Sequence, residues 1–364
     1  MHRRHGREED QAKDKDGKQP RRPGLATHHG RRHHRLADDG RHPLLDSLCQ
    51  TRIHSCFFTK ADFFFQTLVD FGAPPLLGYK KKMSHKIVIH DRYQLHQPLG
   101  KGSFGEVFAG TDLLTGTKVA IKLEPYERKK HSQLQFESKL YHELRHVSCV
   151  PRVHYFGRVG EYNALVMDQL GKSIDAFYTQ HGHQLSEHVV CSIAVYAIKA
   201  LKEIHEMGFV HRDLKPQNMC VGLGVYQHKI FFIDFGLAKK YLDLQGQHIP
   251  YRTDKSLTGT PRFVSVGCHK GYEMSRRDDL EGLMYVLVWL AKSKLPWQGC
   301  KASSKRKKHK KIMQVKEKVS VDDLCKGLSP CFAKVLLHVK SLAFEERPAY
   351  ESYIKWFEDA LLEM

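Results

Sequence analysis

The sequence predicts an α+β fold of two lobes, a small β-rich N-terminal lobe followed by a larger, mostly helical one. Three observations predict it. Between residues 87 and 170, short runs of β-branched and aromatic residues alternate with glycine-rich or polar turns. After Gly171 the apolar residues take up the spacing of amphipathic helices. The chain has 364 residues, 41% of them hydrophobic. That is too many for one ordinary domain at ~100–200 residues each, and enough to bury a substantial core.

The elements follow in order. Tyr93 to Leu99, Val107 to Gly110 and Lys118 to Leu123 read as short strands. Leu134 to Leu144 reads as a helix, with Leu134, Leu140, Tyr141 and Leu144 close to one face. Strands return at Val153 to Arg158 and Ala164 to Gln169. The second lobe, 171–364, opens with a periodic stripe from His188 to Met207. Asp279 to Leu290 is nearly all apolar beyond Glu281 and is expected to be a central buried helix. Val321 to Phe332, Ala333 to Leu342 and Tyr350 to Glu363 read as peripheral helices.

Residues 1–82 differ. They are rich in Arg, His, Gly and Asp, lack apolar periodicity until Phe57, and are expected to be disordered. A metal site at His28, His29, His33 and His34 competes there with a plain solvated tract. Met83 stands where the composition changes abruptly and reads as an alternative start of translation. The first residues carry both cations and acids with no apolar core, which does not fit a signal peptide.

The charge balance is basic, 59 Lys and Arg against 40 Asp and Glu, a net +19. This favours acidic or phosphorylated peptides and other polyanions. No run of about 18 apolar residues occurs, so no membrane span is expected. The nine cysteines are scattered without metal-site spacing, which points to a reducing compartment, cytoplasm or nucleus.

Four motifs carry chemistry. Leu99 is followed by Gly100, Lys101, Gly102, Ser103, Phe104, Gly105, Glu106 and Val107, a GxGxxGxV sequence between two strands. Glycines let backbone N–H groups approach phosphate closely. A ligand-free tight hairpin gives the same pattern. A dinucleotide loop needs a helix directly after it, and here a strand follows. Val119-Ala120-Ile121-Lys122 ends the third strand, where Lys122 can reach phosphates and take Glu137 as its partner. Both could equally be surface charges if the motif stood alone. His211-Arg212-Asp213-Leu214-Lys215-Pro216-Gln217-Asn218 resembles the catalytic loop of protein kinases. Ile230 to Ile233 is an apolar run that ends in Asp234-Phe235-Gly236.

The resemblance to protein kinases implies a role for each of these residues. Asp213 would orient the substrate hydroxyl and accept its proton. Lys215 would steady the transferring phosphoryl group. Asn218 and Asp234 would hold Mg²⁺, and Lys122 would touch the phosphates of ATP. The two cofactors so implied are ATP and Mg²⁺.

Residues 87–360 further resemble the casein kinase I family. That resemblance rests on Leu257-Thr258-Gly259-Thr260-Pro261-Arg262-Phe263-Val264-Ser265-Val266-Gly267, on Ser275-Arg276-Arg277-Asp278-Asp279-Leu280-Glu281, on Leu295-Pro296-Trp297-Gln298-Gly299 and on Ile249-Pro250-Tyr251-Arg252. It implies a bilobal kinase fold and Ser/Thr specificity. The hinge would be Val166 to Gly171, with Met167 as gatekeeper and backbone groups of Asp168 and Leu170 binding adenine. Asp279 would brace the catalytic loop, the alternative being a buried acid bonded within its own helix. Substrates would be acidic or already phosphorylated proteins, met by an anion site of Arg262, Lys308 and Lys255, with Arg252 a further candidate. Lys308 lies in the run Lys305 to Lys311, which also fits a solvated face, an import signal or a polyanion patch.

Gly267, Phe263 and Pro261 depart from the family pattern in the peptide-docking loop and bear on substrate preference, not on ATP chemistry. Tyr241, Tyr251, Thr253 and Ser256 give no clear activation phosphosite, and activity is expected without one. With the chain ending soon after the kinase-like region, inhibition by a long tail is not expected. A monomer is expected. A kinase-fold scaffold acting through basic surfaces remains the alternative. Nucleic-acid binding through the basic N-terminal tract and Lys305 to Lys311 is a third reading, weakened because aromatic residues are not interleaved with those charges.

Overall fold

The first strands form one antiparallel sheet. In the computed structural model, which describes residues 87–102, 105–127 and 132–364, these are β1 (Val88–Ile89), β2 (Tyr93–Gly102), β3 (Gly105–Asp112), β4 (Lys118–Pro125), β5 (Val153–Val159) and β6 (Tyr162–Asp168), ordered β1-β2-β3-β4-β6-β5. All described residues belong to one compact unit. The expectations for residues 1–82, Met83, Ser103 and Phe104 fall outside the described residues.

Strand periodicity sorts the side chains. On β4 and β6, Val119, Ile121, Ala164 and Val166 bury into a small cluster with Ile89 and Tyr93. Their neighbours Ala120, Leu165 and Met167 face the opposite way, into the main core. The period of two therefore puts Lys122 on the same face as Ala120.

Helix α1 (Gln133–Glu143) follows β4. Ser132 caps it, accepting from the Gln135 N–H at 2.9 Å. Glu124, two residues beyond Lys122, also accepts from the Gln133 and Leu134 N–H groups at 3.0 and 3.2 Å. A carboxylate at a helix N-terminus satisfies orphan donors and complements the macrodipole. One face of β4 thus anchors α1 twice, through Glu124 and through Lys122.

Beyond Gly171 the chain is mainly helical: α2 (Ile174–Gln180), α3 (Glu187–Glu206), α4 (Val266–His269), α5 (Arg276–Lys292), α6 (Lys305–Lys318), α7 (Val321–Cys325), α8 (Pro330–Ser341) and α9 (Tyr350–Glu363). A β-sheet region in the N-terminal part and a helical C-terminal part agree with the two-lobed expectation. Helix α5 is central, buried without interruption from Asp278 to Leu290. Each fully buried leucine there contributes about 1.5–3 kcal/mol by leaving water. Among the described residues no helix is long and apolar enough to cross a membrane.

One expectation needs correction, and one run left without an assigned element gains one. The stretch from Val321 to Leu342 breaks between Cys325 and Pro330, not at Phe332. Gly327 adopts a positive φ of 82° there, and Pro330 sits in the first turn of α8, as its missing N–H allows. The charged run Lys305 to Lys311 is helical, the first half of α6, capped by Ser304 and held inward by Ile312 and Lys316.

Two short antiparallel pairs complete the frame. Strand β7 (Phe209–Val210) pairs antiparallel with β10 (Lys239–Lys240), and β8 (Met219–Val221) with β9 (Ile230–Phe232). Met219 lies opposite Phe232, and the Ile233 N–H donates to the Asn218 carbonyl at 3.0 Å. This register brings Asn218 and the segment entering Asp234 to the same end of the β8–β9 pair.

Candidate active site

Lys122 is buried within β4, which runs on to Pro125 and so extends past the end expected from the sequence. Its Nζ lies 2.6 Å from Glu137 Oε2 and 3.7 Å from Asp234 Oδ1. Desolvation works against the ammonium, but the two carboxylates outweigh it and raise its pKa above the usual lysine value. The cation is therefore held charged where three elements meet: β4, α1 and the turn after β9.

Asp234 takes a left-handed backbone, φ 65° and ψ 64°, a conformation that Asp tolerates better than most residues. Its N–H donates to the Tyr141 hydroxyl at 3.2 Å. Phe235 is fully buried, edge-on to Tyr141 with ring centres 5.3 Å apart. The Gln133 side-chain amide donates to the Gly236 carbonyl. Helix α1 thus holds the Asp234-Phe235-Gly236 segment at three successive residues.

The 211–218 loop is braced from behind. The fully buried Asp279 carboxylate accepts from the His211 N–H at 2.6 Å and the Arg212 N–H at 2.8 Å, so it bonds well outside its own helix. His205 Nε2 lies 3.0 Å from the same carboxylate. Burial opposes the Asp279 charge, but these hydrogen bonds and the nearby histidines override it and lower its pKa. Asp213 faces the other way. Lys215 Nζ donates to its Oδ2 at 2.6 Å, and the Thr260 hydroxyl to its Oδ1 at 2.7 Å. The Asn218 Nδ2 donates to the Asp213 carbonyl at 3.0 Å, which leaves the Asn218 amide oxygen for another partner.

The glycine-rich hairpin joins β2 to β3. A Cβ at Gly105 would meet the Leu123 carbonyl oxygen at 2.2 Å, so the fold itself demands glycine there. At Gly100 a Cβ would meet nothing within 4 Å among the described residues, so they make no such demand. Lys101 and Glu106 face each other across the strands and pair at 3.0 Å. Leu99 is exposed, and Val107 is half-buried. In the segment expected to be the hinge, the Asp168 N–H donates to the Arg152 carbonyl at 2.9 Å. The Asp168 side chain turns to His154 and Arg152. Leu170 N–H has no backbone partner among the described residues.

The three anion-site candidates lie on different elements. Arg262 is exposed, its guanidinium over the Phe263 and Trp289 rings at 5.6 and 5.7 Å. Lys308 is exposed in the first turn of α6. Lys255 is half-buried and already faces the carboxylates of Glu273 at 3.7 Å and Asp254 at 3.8 Å. Arg252 is exposed, and its carbonyl accepts from the Glu273 N–H.

Asp234 and Asn218 offer hard oxygen donors. Mg²⁺ is commonly held by one or two such protein ligands together with substrate phosphates and water. Among the described residues no group of three or more His, Cys, Asp and Glu forms a self-sufficient metal cage. The donor set fits a metal shared with a phosphate ligand.

Sequence reasoning missed Glu124 and Thr260 as supports of this site. Thr260 lay in a quoted motif but carried no assigned role. Glu124 is spaced two residues from Lys122, the one local sign that both share a face.

The model of the protein kinase domain matches residues 93–356, more than half of the sequence. With Lys122, Asp213 and Asp234 placed by the elements described above, that match makes the chain a member of the protein kinase family.

Proposed function

We propose that the chain is a protein serine/threonine kinase of casein kinase I type, acting on acidic or phosphate-primed protein substrates with ATP and Mg²⁺. The observation that carries this reading is the paired arrangement of Lys122 between Glu137 and Asp234 and of Asp213 between Lys215 and Thr260. Phosphoryl transfer asks a protein mainly for positioning and for neutralisation of charge.

Residues 87–170 form the nucleotide-side lobe in this reading, and 171–364 the substrate side. Gly100 to Val107 covers the phosphates. Asp168 contributes its carbonyl to adenine, its N–H being taken by Arg152, and Leu170 contributes its N–H. Lys122 neutralises phosphate oxygens. Asp234 and Asn218 would hold Mg²⁺, which would supply positive charge against the developing charge on the phosphates. Asp213 aims the acceptor hydroxyl and takes its proton. Lys215, 2.6 Å from Asp213, supports Ser/Thr specificity by adding a cation beside the acceptor. Arg262 and Lys308 receive the priming phosphate, with Lys255 contributing once it is drawn from Glu273. A reducing cytoplasmic or nuclear setting suits its scattered cysteines.

The test is phosphorylation of casein and of a peptide array containing primed, acidic and plain sequences. Asp213→Asn should lower kcat by about 10²–10⁴-fold, the usual weight of a positioned general base. An Asp213→Asn protein as active as wild type would end the reading, and so would phosphate incorporation into tyrosine alone.

A further inference from the structure

Helix α6 carries a lysine that the phosphoryl-transfer chemistry does not use. Lys316 is 2% exposed. Its Nζ donates to the Pro261 carbonyl at 3.1 Å and the Val264 carbonyl at 2.5 Å. The same nitrogen lies 4.8 Å from the centre of the Tyr285 ring and 5.0 Å from that of Trp297. A buried ammonium needs hydrogen-bond acceptors and a negative environment. Two carbonyls and two aromatic faces supply both.

The two carbonyls flank Arg262. The Arg262 carbonyl itself accepts from the Trp297 indole N–H at 2.8 Å. Residues 261–264 form no regular helix or strand, so a ladder cannot satisfy these groups and side chains must. Lys316 also lies eight residues along the helix from Lys308, about 12 Å of rise. One buried cation therefore ties the loop bearing Arg262 to the helix bearing Lys308.

We propose that Lys316 is a positioning residue for substrate selection, setting the backbone on either side of Arg262 so that the loop and α6 present their cations together to a phosphorylated peptide. This rests on the reading of primed substrates above. A lysine that served only the core would need no acceptors in the docking loop, and the two carbonyls that accept from Lys316 are there.

The experiment compares two peptides that differ only in a phosphoserine upstream of the acceptor, assayed at pH 6.5 with wild type, Lys316→Met, Lys316→Arg and Trp297→Phe. In Lys316→Met the preference for the primed peptide should fall about tenfold, through its KM, while the KM for ATP moves less than about twofold. Lys316→Arg should regain part of the loss. Trp297→Phe removes one donor to the same loop and should lower the preference about threefold by the same route. It carries the test if Lys316→Met does not fold. An undiminished preference in these variants overturns the proposal, as does a loss spread equally over both peptides and ATP. A wild type that ignores the phosphoserine overturns the reading of primed substrates together with this inference.

Discussion

Asp279 holds Arg212 in a left-handed backbone: the carboxylate accepts the Arg212 N–H at 2.8 Å, and Arg212 has φ 66°. Such a conformation is costly for a residue with a Cβ and persists only when its surroundings fix it. The neighbouring Asp213 is thereby turned away from Asp279 toward Lys215 and Thr260. Asp279→Ala should unpair two backbone donors and His205 within the core. Destabilisation of about 3 kcal/mol is expected, within the range for breaking a buried charged network. At this size that lowers the melting temperature by roughly 4–5 °C. Calorimetry checks it. A variant that melts like wild type would mean that Asp279 is not what fixes the loop.

Glu124 sets a second, milder dependency. It caps α1 by accepting two of its first N–H groups, and α1 brings Glu137 to Lys122. Glu124→Ala should cost about 1–2 kcal/mol, as loss of a strong cap does. The helix should then hold Glu137 less firmly. The KM for ATP is expected to rise severalfold while α5 and the distant helices keep their hydrogen-exchange protection. Unchanged exchange in α1 would count against this account.

Thr260 gives the clearest contact that local patterns could not reveal. Its hydroxyl donates to Asp213 Oδ1 at 2.7 Å across 47 residues of sequence. A hydrogen bond to a charged group is worth about 1.5–3 kcal/mol. Thr260→Ala is therefore expected to lower kcat at least about tenfold, with Thr260→Ser restoring most of it. Equal losses in the two variants would show that the methyl group, not the hydroxyl, matters.

How much could be read in advance follows from the range of each interaction. The strands of the first sheet, α1 and α5 announce themselves through periods of two and 3.6, because one face of each meets the core. The glycine-rich hairpin, Lys122, the 211–218 loop and Asp234 are legible as local strings. Helix α6 was not, for a physical reason. Its first turn is wholly basic and opposes the helix macrodipole, and its buried positions are sparse, Ile312 and Lys316. The helix is settled by contacts to α4 and to the 261–264 loop, which no window of sequence contains. Glu124, Thr260 and Lys316 were hidden for the same reason: each is explained by a partner on another element.

The chemistry of Lys316 leads to two pH effects of opposite sign. Burial lowers its pKa from 10.5 to about 7, against the pull of Glu281 and Cys268 and with a small push from Lys340. The groups facing it are Glu281 and Tyr285 from α5, Cys268 and His269 from α4, and Lys340 from α8. Between pH 7 and 10.5 the unfolded chain holds the Lys316 proton and the folded chain does not. Stability gained from this group therefore rises with pH across that window, and the cost of the buried charge is present in full below it. Lys316→Met abolishes the effect, so the stability difference between wild type and variant should shift in favour of wild type from pH 7 to pH 10, read from urea midpoints. Loop pinning moves the other way. A neutral amine binds carbonyls more weakly than an ammonium, so the preference for a primed peptide should decline as pH rises through 7. A wild type whose stability and peptide preference rise together over this range would contradict the assignment, since a single proton cannot leave Lys316 and strengthen its hold on Pro261 and Val264.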